Sequence, residues 1–234
     1  MRTWGHGDRT ALLVHGLFSD SASWHRLGPD LADDGFKVYA PDLRGHGQSP
    51  RGRYSPTDWA LDLVESYGDT RLDLAVGHSL GGMALAIAAK TLRPASAIYL
   101  DPAWQMSAAD DSRSRAQWNS WLLWTDQAQL RETLGPKWPE ADLQLRWESM
   151  WRMDPATIPG LASGAGYDHS PEDAAVPTLV LGADGSSYIT PEHAAELRTR
   201  GLDVETIEGS GHSSFREDYP AFLNRLRDWV AAHS

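Results

Sequence analysis

Leu72-Asp73-Leu74-Ala75-Val76-Gly77-His78-Ser79-Leu80-Gly81 is the stretch that decides how this chain folds. The apolar run Leu72–Val76 reads as a buried strand. The Ala-rich run from Leu80 to Leu92, stopped by Pro94, reads as a helix. Between them, Gly77-x-Ser79-x-Gly81 makes a turn so tight that its flanking positions must be glycine. Such a turn lifts the Ser79 hydroxyl clear of the sheet, at the positive end of the following helix. A chance Ser/Gly turn is the bland alternative, and it leaves the placement between strand and helix unexplained.

Working outward, five more runs look like buried strands: Thr10–Val14, Phe36–Ala40, Ala97–Leu100, Pro177–Leu181 and Leu202–Ile207. Most are near-continuous rather than alternating, as expected where both faces of a sheet are covered. Arg2–Trp4 adds a short edge strand. Helix openings lie between the runs. Ser55-Pro56-Thr57-Asp58 and Thr190-Pro191-Glu192 each place a capping hydroxyl before a proline, and Pro220 to Ala232 is amphipathic. The alternation predicts an α/β fold: a mostly parallel sheet of six to seven strands flanked by helices. It breaks once, from about Ala103 to Asp173, where no run reads as a strand and seven of the eleven tryptophans fall. The expected organisation is therefore a core of residues 1–102 and 174–234 with a small helical cap, 103–173, inserted.

Composition narrows the functional classes. The net charge of −11 over 234 residues argues against nucleic acid or an anionic membrane as partner. The absence of cysteine rules out disulfides, thiolate metal sites and a cysteine nucleophile. No two histidines lie within five positions of each other, so no local helical metal pair exists. Met1–Asp8 has no apolar signal-peptide segment and the longest apolar run, Met83–Ala89, is far too short to span a bilayer. A cytoplasmic protein is the expectation.

Four motifs beyond the turn carry a family resemblance. His15-Gly16-Leu17-Phe18 follows the first long strand, with Trp24 a few residues later. Asp42-Leu43-Arg44-Gly45-His46-Gly47-Gln48-Ser49 follows the next strand, and Gly209-Ser210-Gly211-His212-Ser213 follows the last. With Gly77–Gly81 they run in the order of the α/β-hydrolases, and the chain resembles a serine hydrolase of that fold. The resemblance implies Ser79 as nucleophile and His212 as its base, since a serine hydroxyl needs a base within hydrogen-bond reach. It places the orienting acid at Asp184, in the order Ser79…Asp184…His212. Asp101, ending the preceding strand before Pro102, is the rival, because some members carry the acid there. The N–H groups of Leu17 and Leu80 are the expected oxyanion donors.

No cofactor and no metal are implied. The expected reaction is hydrolysis of a carboxylic ester or lactone through an acyl-enzyme. The resemblance leaves open a thioesterase, a carbon–carbon bond hydrolase or a cofactor-free haloperoxidase or perhydrolase, though Leu80 stands where the last two often have Met. A ligand-binding receptor on the same fold is the non-enzyme alternative. Trp118, Trp121 and Trp124 recur at helical spacing, as do Trp147 and Trp151. Most of these should pack the cap's own core, with one or two of the seven facing the substrate. That predicts a small apolar or aromatic substrate in preference to a charged one.

Overall fold

The computed structural model describes residues 1–233. Its strands are β1 (Arg2–Trp4), β2 (Arg9–Val14), β3 (Phe36–Ala40), β4 (Leu74–His78), β5 (Ser96–Leu100), β6 (Gln105–Met106), β7 (Tyr167–Asp168), β8 (Thr178–Ala183) and β9 (Asp203–Ile207). Seven of them form one sheet in the order β1-β3-β2-β4-β5-β8-β9, all parallel except the β1 edge. Every residue of β4, β5 and β8 is buried, which is why these runs carry no polar alternation. Edge strand β9 buries only Val204 and Ile207.

Several strand ends shift by one or two residues, and the strand expected at Leu72–Val76 shifts by two at both ends. The Asp73 carboxylate accepts the Thr10 N–H at 2.7 Å, standing where a ladder carbonyl would, so regular pairing starts at Leu74 and runs on to His78. The strand therefore delivers its chain directly into the Ser79 turn.

The flanking helices are α1 (Leu27–Asp33), α2 (Pro56–Tyr67), α3 (Leu80–Leu92), α8 (Pro191–Thr199), α9 (Ser214–Glu217) and α10 (Tyr219–Ala232). Ser55 and Thr190 cap α2 and α8 by accepting the Asp58 and His193 N–H groups, with Pro56 and Pro191 in the first turn. Successive strand residues supply opposite cores. Leu12 and Val14 pack with Trp59, Leu63, Met83 and Leu85 on the α2/α3 side, while Ala11 and Leu13 pack with Leu31, Phe222 and Leu226 on the α1/α10 side.

Between β5 and β8 the chain forms α4 (Ala108–Trp121), α5 (Gln127–Leu134), α6 (Glu140–Arg152) and α7 (Thr157–Leu161). The stretch holds one feature the sequence reading lacked: β6 and β7 close it as a two-residue antiparallel ribbon. Such short runs carry no period to read. Trp104 is buried against the sheet domain, its indole N–H donating to the Gly82 carbonyl at 3.1 Å. Helix α6 is tied to the loop after β2 by Arg152, which forms an ion pair with Asp20 at 2.6 Å.

Candidate active site

Three loops at the carboxyl ends of the strands meet at Ser79. The serine sits between β4 and α3 with φ 51° and ψ −119°, a backbone conformation unfavourable for a residue with a side chain. Its neighbours hold it there. Ser79 N–H donates to Leu100 O at 3.0 Å, and Ser79 O accepts from Met83 and Ala103. A Cβ on Gly77 would lie 2.8 Å from Gly81 O, and one on Gly81 would lie 2.4 Å from the carbonyl oxygens of Val14 and His15. Backbone cannot yield that much room, so the two glycines are demanded by close approach. Gly16 answers to the same constraint, since its Cβ would meet His78 Nδ1 at 2.8 Å and Ser79 Cβ at 3.0 Å.

His212 lies on the loop between β9 and α9 and opens onto the same cleft as Ser79. Its Nδ1–H donates to Asp101 Oδ2 at 2.6 Å. That leaves Nε2 as the lone-pair nitrogen. No hydrogen bond joins Nε2 to Ser79 Oγ in this resting arrangement; such contacts are often long until substrate binds. Asp101 is 4% exposed and has both oxygens engaged, Oδ1 accepting from Ser186 Oγ at 2.5 Å and Ala183 N–H at 3.2 Å.

Asp184 is not brought to His212, which departs from the expected order of the triad. The turn after β8 swings Asp184 to the surface, where its Oδ2 accepts the Gly209 N–H at 3.0 Å and its own N–H donates to Ser210 O. It braces the histidine loop from outside. Ser186, two residues on, points inward and fixes Asp101 instead.

Two further groups position that loop. His78 Nε2–H donates to the His212 carbonyl at 2.9 Å, and burial, then the neighbouring His212 and Arg216, hold its pKa well below the usual histidine value. A permanently neutral His78 is thus a fixed donor. Glu217 accepts the N–H groups on both sides of His212, from Gly211 at 2.5 Å and Ser213 at 3.3 Å.

The Leu17 and Leu80 N–H groups donate to no protein acceptor among the described residues, and Leu17 lines the cleft. The loop carrying Leu17 is rigid. His15 Nε2 accepts the Leu43 N–H at 2.9 Å, which puts the proton on Nδ1, and Nδ1–H donates to Gly16 O at 2.9 Å. Asp42 accepts the Ser21 and Gln48 N–H groups at 2.8 and 3.0 Å, welding the two loops together. Those bonds outweigh burial and lower the Asp42 pKa.

A strained serine on a strand–helix turn and a carboxylate-bound histidine open onto one cleft, with Leu17 on its wall. The family model for the alpha/beta hydrolase family matches residues 11–226. This chain belongs to the alpha/beta hydrolase family. It is 36% identical over 120 residues to lipase LipV of Mycobacterium tuberculosis, covering 47% of this chain but only 42% of LipV. It is 25% identical to esterase YbfF of Escherichia coli, covering 96% of this chain and 94% of that protein. The crystal structure of E-2-(acetamidomethylene)succinate hydrolase superposes with a TM-score of 0.82 at 23% identity, covering 98% of this chain and 94% of that one.

In this alpha/beta hydrolase the cleft over Ser79 has a volume of about 420 Å³. Leu17, Phe18, Leu134 and Leu161 line it with three of the tryptophans, Trp118, Trp121 and Trp138. Trp151, by contrast, is exposed. The wall is not apolar throughout: Gln117, Thr133, Arg146 and Glu217 also line it. Arg146, on α6, falls on the same helix face as buried Leu143 and Met150, and that spacing is the signal from which it could have been noticed. Among the described residues, no cluster of three His, Asp or Glu side chains could hold a metal ion, and no helix is long and apolar enough to cross a membrane.

Proposed function

We propose that this protein is a serine hydrolase cleaving a carboxylic ester or lactone through an acyl-enzyme. The observation that carries the reading is the His212–Asp101 hydrogen bond beside the strained Ser79 turn. Ser79 Oγ attacks the carbonyl carbon while His212 Nε2 takes its proton, and Asp101 holds the imidazole and faces the positive charge that forms. The Leu17 and Leu80 N–H groups receive the oxyanion, where preorganised donors act most strongly. The carbonyl re-forms, the carbon–oxygen bond to the leaving group breaks, and His212 returns its proton to the departing oxygen. Water then attacks the ester on Ser79, again through His212, releasing the acid and restoring the serine. In a lactone the departing oxygen stays tethered to the acyl part.

Residues 103–173 serve as a cap over this site. Their tryptophans supply apolar walls that take the hydrocarbon or aromatic part of a small substrate. LipV and YbfF, a lipase and an esterase by name, support an ester as the scissile group. The test is a hydrolysis screen over acyl esters, aryl esters, lactones and thioesters. Turnover of esters or lactones, lost in Ser79→Ala, is expected; turnover of thioesters alone moves the protein to another reaction.

A further inference from the structure

Arg146 is 9% exposed, yet it lines the cleft that holds Ser79 and His212. Its Nη1 donates to Leu17 O at 2.6 Å and to Ser19 Oγ at 3.0 Å. Nε is sealed from solvent without an acceptor, and Nη2 forms no hydrogen bond but is not sealed. No carboxylate among the described residues lies within ion-pair distance of this guanidinium.

The nearby acids are all committed elsewhere. Asp142 holds Arg26 at 3.1 Å, His25 at 3.2 Å and Arg216 at 3.6 Å. Asp20 holds Arg152, and Glu217 accepts the Gly211 and Ser213 N–H groups and the Trp138 indole. Buried Arg216, of the same sign, reaches the same Ser19 hydroxyl at 3.4 Å. Burial, and then Arg216, push the Arg146 pKa down. A buried, unpaired cation is costly to the fold. A structural strap from the cap to the Leu17 loop would need Nη1 alone.

We infer that Arg146 is an anion subsite and that the substrate carries a carboxylate on its acyl part, a few carbons from the scissile carbonyl. This rests on the ester-hydrolase reading above. The position follows from Leu17, which places its N–H at the oxyanion and its carbonyl on Arg146. Bond and hydrogen-bond lengths along that path keep the guanidinium within about 12 Å of the reacting carbon. The acyl side follows from His212, which must protonate the leaving group and lies against Tyr188, with ring centroids 5.1 Å apart. The departing oxygen belongs at that end of the cleft, so the acyl part extends toward Leu17, Phe18 and Arg146. The guanidinium fork suits a carboxylate, and the apolar walls take the carbons between.

The experiment compares kcat/KM for p-nitrophenyl hydrogen adipate and p-nitrophenyl hexanoate, matched in length and differing in the terminal charge. The wild type should prefer the charged ester by about 10–100-fold, the value of one charge-assisted contact. In Arg146→Gln the ratio should fall to about one or below, and Arg146→Lys should retain part of the preference. A wild type that prefers the hexanoate, or a ratio unchanged in Arg146→Gln while both rates fall, overturns the subsite and leaves a strap. In either case hexanoate turnover keeps the ester-hydrolase reading standing. If the folded wild type hydrolyses neither ester and a fluorophosphonate leaves Ser79 unlabelled, that reading fails and the subsite with it.

Discussion

The Nδ1–H of His212 donates to Asp101 at the end of β5, 2.6 Å away, while Asp184 at the end of β8 turns outward to the Gly209 N–H. The carboxylate facing the imidazole thus comes from the strand next to the one that leads into Ser79. Its backbone φ of 37° and its bond from Ser186 aim it at the ring.

The two acids separate cleanly by substitution. Asp101→Asn should lower kcat by about 10⁴-fold, because an amide cannot hold the imidazole in the reactive tautomer. Asp184→Asn keeps an acceptor for Gly209 and should cost under about tenfold. Steady-state kinetics on one ester, with thermal unfolding as a check on folding, decides between them; equal losses, or the reverse ranking, would return Asp184 to the catalytic role.

The glycines of the serine turn make a structural prediction. Gly81→Ala drives a Cβ to 2.4 Å from two carbonyl oxygens, so unfolding free energy should fall by about 3 kcal/mol or more and activity with it. Gly52 has nothing within 4 Å of its Cβ position. Gly52→Ala should be neutral or stabilising by about 0.4–1 kcal/mol, through the unfolded chain alone. Urea melts of both variants measure the contrast, and similar melts would mean that the turn has room to relax.

Much of this site was legible because its motifs are local. Ser79, His15-Gly16 and His212 each sit at the end of a strand whose burial fixes its place in the sheet, so a parallel α/β reading carries them to one edge. The acid was less legible. Both Asp101 and Asp184 end parallel strands, and only the direction of the turn around Gly185 and Ser186 separates them. Helical spacing puts Arg146 on a buried face, but what it and Glu217 hold are backbone groups on loops 129 and 6 residues away, which no spacing rule records. The tryptophan pattern overstated how apolar the cleft is, since helical period reports a shared face and not which other residues join it.

Acid sensitivity follows from the buried histidines. His15, His46 and His78 are all lowered, chiefly by burial, His46 to about 3. Below about pH 6.5 the unfolded chain binds protons that the folded chain refuses, so stability falls as pH falls. His46, lowered to about 3, adds about 1.4 kcal/mol per pH unit to that slope, and its contribution is fully present above about pH 7.5. Urea unfolding should therefore weaken from pH 6.5 to 4.5, and His46→Gln should flatten the slope by about 1 kcal/mol per pH unit. A profile flat over that window would mean that these rings take up protons in the fold.

The central claim is that Ser79 forms the covalent bond to substrate. Its most direct test is intact-mass and peptide-mapping analysis after exposure of the wild type, Ser79→Ala and His212→Ala to a fluorophosphonate ester. The account predicts one adduct per wild-type chain, on the peptide carrying Gly77–Gly81, none in Ser79→Ala, and strongly slowed labelling in His212→Ala. An adduct on another residue, or a wild type that hydrolyses esters while Ser79 stays unmodified, would contradict it.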